Sequence, residues 1–175
     1  MDFCLRKLVG EKWIKSERSL RHIEQKGHIP LLELDSNQIL STLMLGEIIK
    51  LIGEYEIEGY MFELQVMDFK KYHWSNRNFF FLDGNKFSFS NISKNTIVLN
   101  NLRSIRNRAF HWENLLKTRE VNGKVYPRIT TSYPQNQNKN NQTKIGIAPE
   151  MILEFLNDLI ENIDNEEMRK YLYKG

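Results

Sequence analysis

The chain has 175 residues, 41% of them hydrophobic and 27% charged, with a formal net charge of +3; that is enough apolar content for one core, and nothing suggests a second. A single cysteine, Cys4, excludes an internal disulfide framework and any cysteine-based zinc cluster. The most apolar segment is interrupted by Glu47 and Lys50, too soon for a membrane span, and residues 1–7 lack the apolar core of a signal peptide, so a single cytoplasmic domain over residues 1–175 is expected.

The first predicted helix covers residues 12–25, with Trp13, Ile14, Leu20 and Ile23 available for burial, and it stops at Gly27 before Pro30. Asp35 or Ser36 caps a second helix, whose Ile39, Leu40, Leu43, Met44, Ile48, Leu51 and Ile52 make it core until Gly53. Residues 55–71 read as either a further helix or an extended segment. Asp83-Gly84 between Phe79-Phe80-Phe81-Leu82 and Phe87-Ser88-Phe89 signals a β-hairpin, and Asn122-Gly123 signals another, limited in length by Pro127. The polar run 135–142 has no apolar anchor and reads as a mobile loop. Pro149 suits the first turn of a last helix, with Ile152, Leu153, Phe155, Leu156, Leu159 and Ile160 as its packing face. The expected architecture is mainly α, with one or two short hairpins.

Between the hairpins lies a strongly helical stretch. Leu99, Leu102, Ile105, Ala109, Trp112 and Leu116 recur every three or four residues and form one stripe expected to be buried. Arg103, Asn107 and His111 follow at i, i+4 and i+8 and form a polar row. Arg106 stands roughly 140° around the axis from His111, so within one chain the two flank a surface without touching. Charge is concentrated here: residues 99–128 carry seven basic side chains, Lys117 among them, against Glu113 and Glu120, which would draw a phosphate-rich ligand. The plain alternative is a solvated basic face on a packing helix. An acidic run, from Glu150 to Glu167, reads as an ordinary solvated helix face.

One further feature allows more than one reading. The aromatic cluster Tyr72, His73, Trp74, Phe79, Phe80 and Phe81 either packs in the core, as such clusters commonly do, or stacks on unpaired RNA bases. His22, His28 and His73 have no partner at a useful spacing and receive no role. No phosphate loop, paired-histidine metal motif or nucleophilic serine context is present, and neither metal nor cofactor is expected.

The run Arg106-Asn107-Arg108-Ala109-Phe110-His111-Trp112-Glu113 resembles the signature of the HEPN superfamily of α-helical ribonucleases: an arginine, a polar residue, and a histidine after a short interval. It looks closest to the Abi-like branch of abortive-infection and toxin proteins. The run 35–52, a leucine-rich start followed by Gly46, is similar to that family's earlier helix. Trp112 departs from the pattern, standing where many members have a second histidine, and no proline follows Glu113. The resemblance implies a HEPN-like helical bundle acting as a metal-independent endoribonuclease, with Arg106, Asn107 and His111 catalytic and Arg103, Arg108, Glu113 and Lys117 handling substrate. It also implies a homodimer that pairs two motif helices around a cleft, RNA as substrate, and an antitoxin protein as restraint. A non-catalytic RNA-binding or protein-interaction module is the alternative, and a buried, purely structural His111 is a third.

Overall fold

The computed structural model describes residues 1–24, 29–134, 142–163 and 166–173, and the chain divides into two compact units, Met1–Met61 and Phe62–Gly175. The mainly helical bundle expected from the sequence is not what forms. Among the described residues the structure is 46% helical with 16% strand, and the strands make three two-stranded antiparallel sheets, so the protein is mixed α/β.

The first unit opens with α1 (Asp2–Leu8), absent from the sequence expectation. The Asp2 carboxylate accepts from Arg6 Nε and Trp13 Nε1, each at 2.8 Å. Partial burial pushes this carboxyl up, but the two hydrogen bonds outweigh it and hold Asp2 below the usual carboxylate range. The expected helix over 12–25 is broken into a 3₁₀ turn (Trp13–Lys15) and a short α2 (Glu17–Leu20). Ser16 is extended, and its hydroxyl caps α2 at Ser19 N, so the residue that ends one turn starts the next. The expected end of that helix lies outside the described residues, as does most of the expected loop at 135–142.

The second expected helix is also split, into α3 (Ser36–Thr42) and α4 (Leu45–Glu54). Asp35 caps α3 as expected: its carboxylate accepts from Gln38 N at 2.8 Å while the Gln38 side chain accepts from Asp35 N at 2.7 Å. The break has a local cause. Ser41 and Thr42 hydroxyls donate to the carbonyls of Gln38 and Ile39, and the buried Glu47 carboxylate accepts from Met44 N at 2.6 Å, which starts a new helix there. Leu5, Trp13, Ile14, Ile39, Leu51 and Ile57 are fully or almost fully buried.

The ambiguous stretch, residues 55–71, runs from the end of the first unit into the second and proves to be mostly irregular, with 3₁₀ turns at Glu58–Tyr60 and Phe69–Lys71. The hairpin of β1 (Phe79–Leu82) and β2 (Asn85–Ser88) forms where expected, with Asp83 and Gly84 both at positive φ. The long helix α5 (Asn91–Phe110) follows, then a second hairpin of β3 (Thr118–Val121) and β4 (Lys124–Pro127) around Asn122 and Gly123, again both at positive φ.

A third hairpin, β5 (Ile129–Tyr133) with β6 (Thr143–Ile147), was not expected. Its sequence alternates: Ile129, Thr131, Ile145 and Ile147 are buried, while Thr130, Ser132 and Lys144 face the other way. α5 packs along β5, so this sheet and helix sandwich the core with α6 (Ile152–Glu161). Pro149 starts that last segment in a 3₁₀ turn, as expected, and Ile152, Phe155 and Leu159 are buried, whereas Leu153 is exposed. Asn76, buried in the preceding loop, ties the unit together. Its amide donates to the carbonyls of Phe69 and Gly146 and accepts from Gly146 N, all within 2.8 Å.

Candidate functional site

The two ends of α5 are built for different work. At its start Ser90 caps the helix, and Asn91, Lys94 and Asn95 bind the irregular strand that passes over it. Asn95 accepts from Phe62 N at 3.0 Å and donates to Phe62 O at 2.8 Å; Asn91 accepts from Leu64 N at 2.8 Å; Lys94 Nζ donates to the carbonyls of Gln65 and Met67. Burial of this lysine lowers its pKa, with Asp68 acting in the opposite sense.

The other end carries the motif. Leu99 and Ile105 of the expected stripe are buried and Leu102 is half-buried, but Ala109 is exposed, Trp112 is 95% exposed and Leu116 is 68% exposed. The stripe loses its cover in the last turn of the helix and ends where the helix does. His111 is the C-cap, Trp112 takes the left-handed conformation at φ 54°, and the N–H groups of Trp112 and Glu113 donate to the carbonyls of Ala109 and Arg108. That is a Schellman closure, normally made with glycine, whose lack of a Cβ removes the penalty that Trp112 carries here. A fully exposed tryptophan in a strained backbone gains nothing for folding.

Arg106, Phe110 and His111 stand together on this terminal turn, all exposed. The Arg106 guanidinium lies 4.8 Å from the Phe110 ring centroid, and the His111 ring meets Phe110 edge-on at 5.3 Å. Arg106 and His111 are therefore separated by Phe110, in keeping with their helical offset. Asn107 accepts from Arg106 Nη1 at 3.1 Å, so its side chain holds the arginine and not the histidine. Glu113 accepts from Arg108 Nη1 at 2.5 Å, which folds the chain after the helix back onto it. Lys117 is exposed and lines none of the depressions described next.

Three adjoining depressions that share Thr130 and Gln142 lie over the outward face of β5 and β6, two of them walled on one side by α5. One is walled by Arg103, Asn107 and the outward face of β5; the next by Arg108, Arg119, Arg128 and Lys144; the third, of 610 Å³, by Arg77, Arg119, Tyr126 and Lys144. The structure thus brings Arg103, Asn107 and Arg108 together with cations from β3 and β6, and leaves Arg106 and His111 on the adjacent shoulder. Among the described residues Arg77, Arg119, Arg128 and Lys144 form no ion pair. Four like charges without carboxylate partners around concave surface make a site for a polyanion. Sequence reasoning missed Lys144, Thr130 and Ser132, whose signal was the alternation of the unrecognised strands.

Among the described residues no His, Cys, Asp or Glu side chains gather in the threes needed to hold a metal, and no helix is long and apolar enough to cross a membrane. No protein-family model, curated protein or solved structure matches the chain significantly, so the likeness to HEPN nucleases rests on the quoted runs alone.

Proposed function

We propose that the protein is a metal-independent endoribonuclease of the toxin or abortive-infection type, cutting RNA at the open end of α5. The observation that carries this reading is the pairing of an exposed arginine and an exposed histidine around Phe110, beside a groove whose Arg119, Arg128 and Lys144 form no ion pair among the described residues. RNA contains its own nucleophile. A base takes the proton of the ribose 2′-hydroxyl, the 2′-oxygen bonds to the adjacent phosphorus, the bond to the 5′-oxygen breaks, and an acid protonates that leaving oxygen. The product carries a 2′,3′-cyclic phosphate. Imidazole serves as either base or acid near neutral pH. Arg106, always charged, holds the phosphate and stabilises the charge that builds on its oxygens, with Asn107 fixing the guanidinium.

One protomer brings one motif histidine, and the reaction uses an acid and a base. A homodimer with the α5 ends facing supplies the second, and the exposed Phe110, Trp112 and Leu116 beside His111 offer apolar surface for that pairing. Restraint by an antitoxin protein follows from the motif resemblance. The test is expression in a bacterial host: wild type arrests growth and leaves cellular RNA with 2′,3′-cyclic phosphate ends, and Arg106→Ala and His111→Ala do neither.

A second reading, a non-catalytic RNA-binding module, is favoured by one observation: Arg106 and His111 line none of the three depressions, whereas Arg103, Asn107 and Arg108 do. It is distinguished by RNA affinity that persists in a protein with no cleavage activity.

A further inference from the structure

Beyond the depression that holds Arg119 and Lys144, the second unit presents aromatic rings to solvent where its core has no use for them. Tyr72 of the aromatic run is 1% exposed and packs edge-on against Phe155, and Phe80 stacks on Phe87 and Phe89, so these rings are structural. Trp74 is different: it is 60% exposed. It meets His73 at 5.2 Å and Tyr126 at 5.6 Å between centroids, and His73 meets Tyr126 at 6.0 Å, so three rings from the loop after Phe69–Lys71 and from β4 form one platform. A hydrogen bond from Ser75 N to His73 Nδ1 at 3.3 Å holds the imidazole in place.

Cations surround the platform. Lys124 Nζ lies 5.6 Å from the Trp74 centroid and Arg119 Cζ lies 6.0 Å from that of Tyr126. The strand register explains why. Arg119 pairs across from Tyr126, and Val121 across from Lys124, so these four share one face of the hairpin; Glu120, opposite Val125, falls on the other. The hairpin therefore turns Arg119 and Tyr126 toward the depression and Lys124 toward Trp74, with its one carboxylate on the opposite face. Tyr126 and Arg119 also line that depression, which joins the platform directly to the groove beside α5.

We infer that His73, Trp74 and Tyr126 are a stacking site for the bases of a single-stranded RNA, whose phosphates follow Arg119, Lys144 and Arg108 toward the end of α5. Rings set among cations suit unpaired bases, because every base has a face to stack while the backbone needs only positive charge. A duplex buries those faces and gains nothing from the platform. This inference rests on the ribonuclease reading for its choice of RNA, deepens it by naming the unpaired strand as substrate, and places the binding surface away from the proposed catalytic pair.

The test is fluorescence anisotropy with a labelled, unstructured RNA 12-mer, run in the His111→Ala background so that the probe stays intact. Trp74→Ala is expected to weaken binding roughly 5- to 100-fold, Trp74→Phe to restore most of it, and neither to change the binding of a blunt RNA duplex. Lys144→Glu is expected to weaken both probes. Equal affinity of Trp74→Ala and its parent for the unstructured RNA would overturn the inference, and so would a failure of the parent to bind it. Cleavage by the protein with His111 intact is measured in parallel: loss of binding in Trp74→Ala without any cleavage by that protein leaves the stacking site standing and removes the nuclease.

Discussion

The two halves of α5 teach opposite lessons about what a helix is for. Its first half spends almost every side chain on structure: Ile97 and Val98 are completely buried, and Asn91, Lys94 and Asn95 satisfy the backbone of the strand above them. Its last turn spends almost none. Arg106, Phe110 and His111 are exposed, and the left-handed Trp112 adds strain that no packing offsets. Strain and exposed aromatic surface collected in one place are costs that folding alone would remove, and they gather where function is proposed.

The largest expected effect lies at the structural end. Asn95→Ala leaves Phe62 N without a partner and Phe62 O with the Asn91 amide alone, and is expected to cost about 1–3 kcal/mol of stability in urea unfolding. A cost near zero would mean that water satisfies that strand and that the halves do not differ as described. At the open end the sign reverses. Trp112→Gly relieves the left-handed backbone and is expected to stabilise the protein by roughly 0.5–1 kcal/mol while lowering RNA cleavage, because the proposed dimer surface loses a ring. A loss of stability there would show that Trp112 packs against something in solution.

Smaller effects sharpen the picture. Glu113→Gln breaks the ion pair with Arg108, changes stability by about 0.5 kcal/mol or less, and raises RNA affinity by freeing a groove cation; lower affinity in salt-matched binding would show that Glu113 orients Arg108 for substrate. Asp68, held below the usual carboxylate range first by the Asn78 amide and then by Lys70 N, contributes stability that is present above the unfolded carboxylate pKa of about 4 and lost as pH falls through its lower folded value. Asp68→Asn should therefore lower the Tm slightly at pH 7, by a difference that shrinks as the pH falls below the unfolded pKa of about 4.

Much of this was legible in the sequence where the signal is local. Asp83-Gly84 and Asn122-Gly123 announce residues that tolerate positive φ, and both hairpins form there. Asp35 or Ser36 announces a cap, and Asp35 takes the role in a capping box with Gln38. What was not legible depends on distant partners. β5 and β6 are short, separated by a polar run, and become strands by pairing with each other beneath α5; without them the chain reads as mainly helical. The end of α5 was hidden for a different reason: Trp112 and Leu116 keep the helical period of apolar residues, so periodicity predicts burial that the Schellman closure forecloses. For the site, the row Arg103 and Asn107 was readable from i, i+4 spacing and does line one wall. Its opposite wall, Thr130, Ser132 and Lys144, depends on the strands that were not recognised.

The most direct test of the central claim is single-turnover cleavage of a labelled, unpaired RNA by purified protein in excess EDTA, comparing wild type with His111→Ala, whose exposed position spares the fold. The account predicts cleavage to 2′,3′-cyclic phosphate ends by wild type and a rate about 10²–10⁴-fold lower for the variant at unchanged circular dichroism. Equal rates for the two proteins, or RNA bound and left uncut by wild type, would contradict it.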